Sequence, residues 1–241
     1  MKNKKILCLA SHNDDETLSC GGTLKKFANQ GAEIYLLTFT DGVSARYDKN
    51  ISPPARYDEE TGIILLSSLA PNDRRRTTPK VSSILGLKHF NCFDFPDNKM
   101  DNVPLLEVNK SIEKYLKNAN LIPDMVLTHN PYCLNTDHKK VYEASITVFR
   151  GLPKYNKTKI MCYETLSSTE WNPISGFKPN CYVDVSNYIS SVKEALDVYK
   201  DEMRELPHPR NWETKLIKMK LSGTECGVEF AERFMVLREV L

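Results

Sequence analysis

The sequence has no CxxC pair, no apolar run long enough to cross a bilayer, no GxGxxG spacing and no surplus of charge of either sign. Its seven cysteines (8, 20, 92, 133, 162, 181 and 226) are an odd number. Four of them, Cys8, Cys92, Cys162 and Cys181, fall inside apolar strand-like runs, where a reduced thiol behaves as a small hydrophobe. A disulfide framework is therefore not expected, and a cytoplasmic chain is. The basic start MKNKK leads into an apolar run too short for a signal peptide, so no membrane insertion is expected. A net charge of +2 gives no footprint for nucleic acid. The one dense basic spot, Arg74, Arg75 and Arg76, reads as a solvated face or an anion contact. There is no internal repeat or low-complexity segment.

Hydrophobic residues at 41% and charged residues at 27% are ordinary proportions for a globular chain. A length of 241 residues suits a single domain over 1–241 with an elaborated C-terminal third. Strand and helix signals alternate, as in a mostly parallel α/β sheet. Strands are expected at Lys4–Ala10, Glu33–Thr40, His89–Phe93, Met125–His129, Lys159–Tyr163 and Cys181–Val185. Helices are expected at Thr17–Gln30, Asp58–Leu69, Thr78–Leu85, Val108–Leu116, Lys139–Phe149 and Tyr188–Arg204. The long connection between the second and third strands is expected to hold two helices and a mobile loop around SARYDKNISPPARY. After Asn187 the character changes, ending in an amphipathic stretch.

The densest chemistry lies in SHNDDETLSCGG, residues 11–22, where the first strand gives way to a helix. Three consecutive acids beside an imidazole repel one another unless a cation or a catalytic task holds them. Strand ends that open into helices are where α/β sheets place ligands. His12 and Asp15 can converge on one cation, and His138, in LNTDHKK after the fourth strand, supplies a third ligand. Three protein ligands and one open position are what a catalytic zinc needs. Asp14 can then face the open position as a general base. Asp41, in TFTDG, and His129 are candidates for orienting the ligands from behind. Each residue has a plainer reading: Asp14 or Asp15 as a helix N-cap, His138 as an exposed residue at a helix start. His89 is given no role. Gly21 and Gly22 point to close helix packing rather than to a phosphate loop.

At these residues the chain resembles the PIG-L/LmbE-like family of zinc-dependent sugar N-deacetylases. The family motif AHPDDE followed by GGT reads here as SHNDDE at 11–16 and then Gly21, Gly22 and Thr23. The likeness continues through TDG at 40–42, ILG at 84–86, FPDN at 95–98, PDMVLTH at 123–129, LNTDH at 134–138 and PHPRN at 207–211. The resemblance implies a zinc site of His12, Asp15 and His138, with Asp14 as general base. It further implies that His208 protonates the amine or stabilises the oxyanion, in some relatives from a neighbouring subunit of a homo-oligomer, and that Arg74 contacts substrate. There are departures. Asn13 replaces the usual proline, Asn135 stands where many members carry a second histidine, and Thr77 replaces a glutamate. Asn135 is kept as a substrate contact that cannot deliver a proton.

The combined expectation is a Rossmann-like three-layer sandwich that removes acetyl from an N-acetylated amino sugar of the N-acetylglucosamine type. Iron is an alternative to zinc, since the same ligands suit it. Two rival functions are hydrolysis of another amide, such as a mercapturic-type conjugate, and a non-catalytic sugar- or nucleotide-binding protein.

Overall fold

Continuous apolar runs become strands buried on both faces, the requirement of a parallel sheet covered by helices. The computed structural model describes residues 1–40, 42, 45, 55–61, 63–69, 73–174 and 176–241. In chain order it contains β1 (Lys5–Ala10), α1 (Asp15–Asn29), β2 (Glu33–Thr40), α2 (Thr78–Leu85), β3 (His89–Phe95), α3 (Leu105–Asn118) and β4 (Met125–His129). There follow α4 (Thr136–Val148), β5 (Lys159–Tyr163), β6 (Cys181–Asp184), α5 (Ile189–Val198), α6 (Trp212–Cys226) and β7 (Ala231–Arg238). The seven strands lie in the order β3-β2-β1-β4-β5-β7-β6. The pairs β1–β2, β1–β4, β2–β3 and β4–β5 are parallel, and β7 runs antiparallel to β5 and β6.

Alternation along β1 splits the core in two. Ile6, Cys8 and Ala10 join Leu24, Leu85, Leu196 and Met219 from α1, α2, α5 and α6. Leu7 and Leu9 join Val108, Ile112, Val141 and Val148 from α3 and α4. The result is the expected three-layer α/β sandwich. Because β1 is flanked by β2 on one side and β4 on the other, the chain order reverses there. The loops after β1 and β4 therefore open side by side, which brings distant sequence motifs together.

Helix α1 is kinked at Cys20 (φ −141°, ψ 23°). The N–H groups freed at the kink are taken by Glu232 of β7, which accepts from Gly22 at 3.2 Å and Thr23 at 2.8 Å. Lys215 of α6 balances that carboxylate at 2.9 Å and also donates to Ser19 O. A Cβ on Gly22 would lie 2.9 Å from Val185, so close packing does account for this glycine.

Two expectations need correction. The stretch Asp58–Leu69 is not an α-helix: Tyr57 pairs with Ile64 in an antiparallel bridge, and only Leu66–Ser68 makes a 3₁₀ turn. The Asp58 side chain accepts from both Thr61 N and Thr61 Oγ1 at 2.7 and 2.6 Å, a local turn that competes with helix formation. The stretch Tyr188–Arg204 is helical in pieces, with α5 followed by a 3₁₀ turn at Lys200–Glu202. The amphipathic tail holds α6 and the inserted strand β7, the one antiparallel member of the mostly parallel sheet described. Of SARYDKNISPPARY, only Ala45 and residues 55–57 are among those described. All seven cysteines are free. Among the described residues, no helix is long and apolar enough to cross a membrane.

Candidate metal centre

The corner after β1 is built around one carboxylate oxygen. Asp15 Oδ2 accepts from the His12 backbone N–H at 2.9 Å, and lies 3.1 Å from His12 Nδ1 and 3.3 Å from His138 Nε2. His138 Nε2 and His12 Nδ1 are 3.2 Å apart. The three donor atoms thus form a nearly equilateral triangle inside the protein, their residues 7%, 0% and 1% exposed. Bonds of about 2.0–2.1 Å to a tetrahedral zinc put its ligands about 3.3–3.4 Å apart, so the triangle has the size of one face of such a site. Asp15 Oδ1 is buried without a hydrogen-bond partner. Burial opposes charge on Asp15, yet His138, His129 and His12 hold its carboxyl well below the usual range. Against burial, Asp15 pushes His12 up, and Asp15 with Cys133 pushes His138 up to about 9. Protons and a cation compete for these lone pairs, and the donor set fits a divalent ion.

Both histidines of the triangle are oriented from behind. His12 Nε2 points at Asp97 Oδ1 (3.0 Å) and Asp137 Oδ2 (3.1 Å), which leaves Nδ1 for the triangle. His12, Asp97 and Asp137 also cluster closely enough to hold an ion. Asp137, however, is spent on the backbone N–H groups of Asn98 (2.7 Å) and Met100 (3.0 Å), which marks it as an orienting group. His138 sits in the first turn of α4, its Nδ1 3.0 Å from Cys133 Sγ. Asn135 caps that helix, accepting from Asp137 N and His138 N at 2.8 and 3.3 Å, and donates to Asn98 Oδ1. His129 stacks on His138 with ring centroids 3.8 Å apart. It accepts from Ser11 N–H at 2.9 Å through Nε2, so that lone pair is not offered to a metal. Burial and the neighbouring His138 drive its pKa down to about 3.

Asp14 is not a side-chain cap: it makes no capping hydrogen bond to α1. Its backbone is strained at φ 147°, ψ −25°, a conformation that costs of order 1–3 kcal/mol and is kept at functional positions. Glu16 accepts from Asp14 N at 3.2 Å and from the Tyr199 hydroxyl at 2.9 Å. Asp14 Oδ2 lies 3.1 Å from Arg210 and 3.6 Å from Arg74, while Glu202 lies 3.8 and 3.5 Å from the same two guanidinium groups. The four charges alternate in sign around a ring. Arg74 is fastened to the carbonyl of Gly42 at 2.8 Å. Gly42 adopts φ 68°, and a Cβ there would meet Arg74 Nε at 2.9 Å, which explains the glycine of TDG.

A cavity of about 650 Å³ opens onto this corner, lined by His12, Arg74, Asp97, Asn135, Trp171, Glu202, His208 and Arg210 among others. His208 packs edge-on against Trp171 at 5.2 Å. Its Nδ1 accepts from Arg210 N–H at 3.1 Å, so neutral His208 carries its proton on Nε2. Burial, Arg210 and Arg204 lower its pKa. His12, Asp15, His138, Asp14, Arg74, Asn135, His129 and His208 are thus gathered in one region. Asp41 lies outside the described residues. Asp97, Asp137, Cys133, Glu202 and Arg210 were not anticipated. The signal for three of them was already in FPDN, LNTDH and PHPRN.

The family model described as PIG-L, GlcNAc-PI de-N-acetylase, matches residues 7–149. The diacetylchitobiose deacetylase of Thermococcus kodakarensis is 27% identical over 212 residues, covering 84% of this chain and 71% of that protein. A solved structure of N,N'-diacetylchitobiose deacetylase from Pyrococcus horikoshii shares the fold with a TM-score of 0.70 at 22% identity, over 97% of this chain and 84% of that one. The 4-carboxy-2-hydroxymuconate hydratase of Pseudomonas putida shares it with a TM-score of 0.64 at 17% identity, over 99% of this chain and 98% of that one. The fold alone therefore does not fix the reaction. The family match runs over more than half of the sequence, from β1 through α4, and takes in all three corners of the buried triangle: this chain belongs to the PIG-L family.

Proposed function

We propose that this chain is a metal-dependent hydrolase that removes the acetyl group from an N-acetylated amino sugar of the N-acetylglucosamine type. The observation that carries the reading is the triangle of His12, Asp15 and His138 with edges of 3.1, 3.2 and 3.3 Å, beside an acid that ligates nothing. The deacetylase relatives support it.

His12 Nδ1, Asp15 and His138 Nε2 would hold zinc, with iron as the alternative. When bound, the metal supplies an acidified water of pKa about 7 and polarises the acetamide carbonyl. Asp14 is the group placed to accept a proton from the attacking water as the water oxygen bonds to the carbonyl carbon. Asp14 Oδ1, buried and without a partner, is the atom free to take it. Burial raises the Asp14 carboxyl against the pull of Arg210, which suits a group that must take a proton from water. His208, a neutral Nε2–H donor, hydrogen-bonds the developing oxyanion. The proton then passes from Asp14 to the departing nitrogen as the C–N bond breaks, giving acetate and the free amino sugar.

Arg74 and Asn135 line the cavity as substrate contacts, and His129 keeps His138 in place. Because His208 lines the same cavity as His12 within one chain, a second copy is not required to supply it, although a homo-oligomer is compatible with this arrangement. The residues 1–241 are read as one deacetylase domain, and the free thiols fit a cytoplasmic location. The test is acetate release from a panel of N-acetylglucosaminides and mercapturic-type amides by zinc-loaded protein. Release from the sugars alone supports the reading. Release only from the other amides, or none, overturns it.

A further inference from the structure

The segment PHPRN carries two functional residues rather than one. Arg210 Nη1 donates to Asp14 Oδ2 at 3.1 Å, and its Nε donates to Ser167 Oγ at 3.0 Å. Its backbone N–H donates to His208 Nδ1 at 3.1 Å, and its carbonyl accepts from Arg204 N at 2.8 Å. Both ends of the residue are therefore fixed. Asp14, 1% exposed, has one oxygen tied to Arg210 while the other is buried with no partner. A pair serving stability alone gains nothing from leaving that second oxygen unpaired, since an orphaned buried acceptor is a cost. Arg74 holds Asp14 less closely: its Nη1 stands further off at 3.6 Å and is shared with Glu202 at 3.5 Å, while its Nε donates to Gly42 O.

We infer that Arg210 is a positioning residue that serves the base and the oxyanion donor together. Through its guanidinium it pins Asp14 by Oδ2, so that Oδ1 is the single working oxygen. Through its backbone N–H it sets the His208 tautomer, so that Nε2–H is the single working donor. The inference rests on the deacetylase reading above. In that reading the proton moves from water to Asp14 Oδ1 as the C–O bond forms, then from Oδ1 to nitrogen as the C–N bond breaks. Arg210 itself transfers nothing.

The experiment compares zinc-loaded wild-type protein with Arg210→Ala and Arg210→Lys, by kinetics and by crystal structure. A misplaced base costs about a hundredfold in rate, so kcat of Arg210→Ala should fall about a hundredfold. KM should move by less than about threefold, because the loss is confined to the transition state. Added guanidinium ion should restore part of that kcat and leave the wild type unchanged. Arg210→Lys, which keeps a cation near Asp14 but loses the tether to Ser167, should fall between the two. In the Arg210→Ala crystal the Asp14 carboxylate should leave its wild-type rotamer; an unmoved carboxylate, or an unchanged kcat, overturns the inference. If the alanine variant does not fold, the lysine variant is read by the same two measures. If the wild type releases no acetate from any N-acetyl sugar, the deacetylase reading fails, and the rotamer comparison alone decides the role of Arg210.

Discussion

Replacing Asp137 with asparagine changes one buried atom and tests how His12 is aimed. Asp137 Oδ2 accepts from His12 Nε2 at 3.1 Å and Asn98 N at 2.7 Å, while Oδ1 accepts from Met100 N at 3.0 Å. An amide offers one acceptor and one NH₂ group. If its oxygen keeps the Oδ2 place, the NH₂ group faces the Met100 N–H. If it takes the Oδ1 place, Asn98 loses its acceptor and His12 Nε2 keeps only Asp97 Oδ1 at 3.0 Å. Either way one of the two negative charges that aim the imidazole is gone. Losing such an outer partner weakens metal binding by about 10–100-fold, or about 1.4–2.7 kcal/mol. A stranded buried N–H adds about 1–3 kcal/mol of lost fold stability. Zinc affinity of Asp137→Asn, measured by competition with a chromophoric chelator, should fall within that range, while urea unfolding of the metal-free proteins reads the second cost separately. A folded variant that binds zinc as tightly as the wild type would refute the assignment of Nε2 to the carboxylates and Nδ1 to the metal.

Other outcomes follow from the same geometry. Asp14→Ala should keep its zinc, measured by elemental analysis, and lose about 10²–10⁴-fold in kcat, the usual worth of a general base. Lys215→Met leaves Glu232 buried without its cation, and broken pairs of this kind cost about 3–5 kcal/mol. Urea unfolding should show it, with Lys215→Met/Glu232→Gln less damaged than the single variant. Burial raises the Glu164 carboxyl, but Lys218 at 3.0 Å and Arg233 at 2.7 Å hold it below its ordinary value. Its folded pKa is depressed, so its contribution is complete above the unfolded pKa of about 4.3 and is lost as pH falls through the folded one. The stability gap between wild type and Glu164→Gln should therefore be constant near neutrality and close in acid; a gap that widens in acid would contradict this.

The strands were legible because residues buried on both faces leave an unbroken apolar run: β2, β4 and β5 fall where EIYLLTFT, MVLTH and KIMCY place them. Asp58–Leu69 was not, since its apolar residues look helical while the Asp58–Thr61 turn, a matter of hydrogen bonds, decides the outcome. The antiparallel β7 was hidden for a different reason. Its AERFMVLR pattern is compatible with either period, and its place between β5 and β6 is set by tertiary packing. In the site, His12, Asp15 and His138 carried their chemistry in their residue type and local motif. Asp97, Asp137 and Arg210 sat in the motifs FPDN, LNTDH and PHPRN, but their partners were not legible, because each partner is brought from far along the chain by the β1–β4 switch point or the C-terminal loop.

The most direct measurement is anomalous diffraction at the zinc edge from a zinc-loaded crystal. One peak about 2.0–2.2 Å from His12 Nδ1, an Asp15 oxygen and His138 Nε2 is the expected result. A peak instead at His12 Nε2, between Asp97 and Asp137, or no peak at all, would contradict the claim that His12, Asp15 and His138 share one ion.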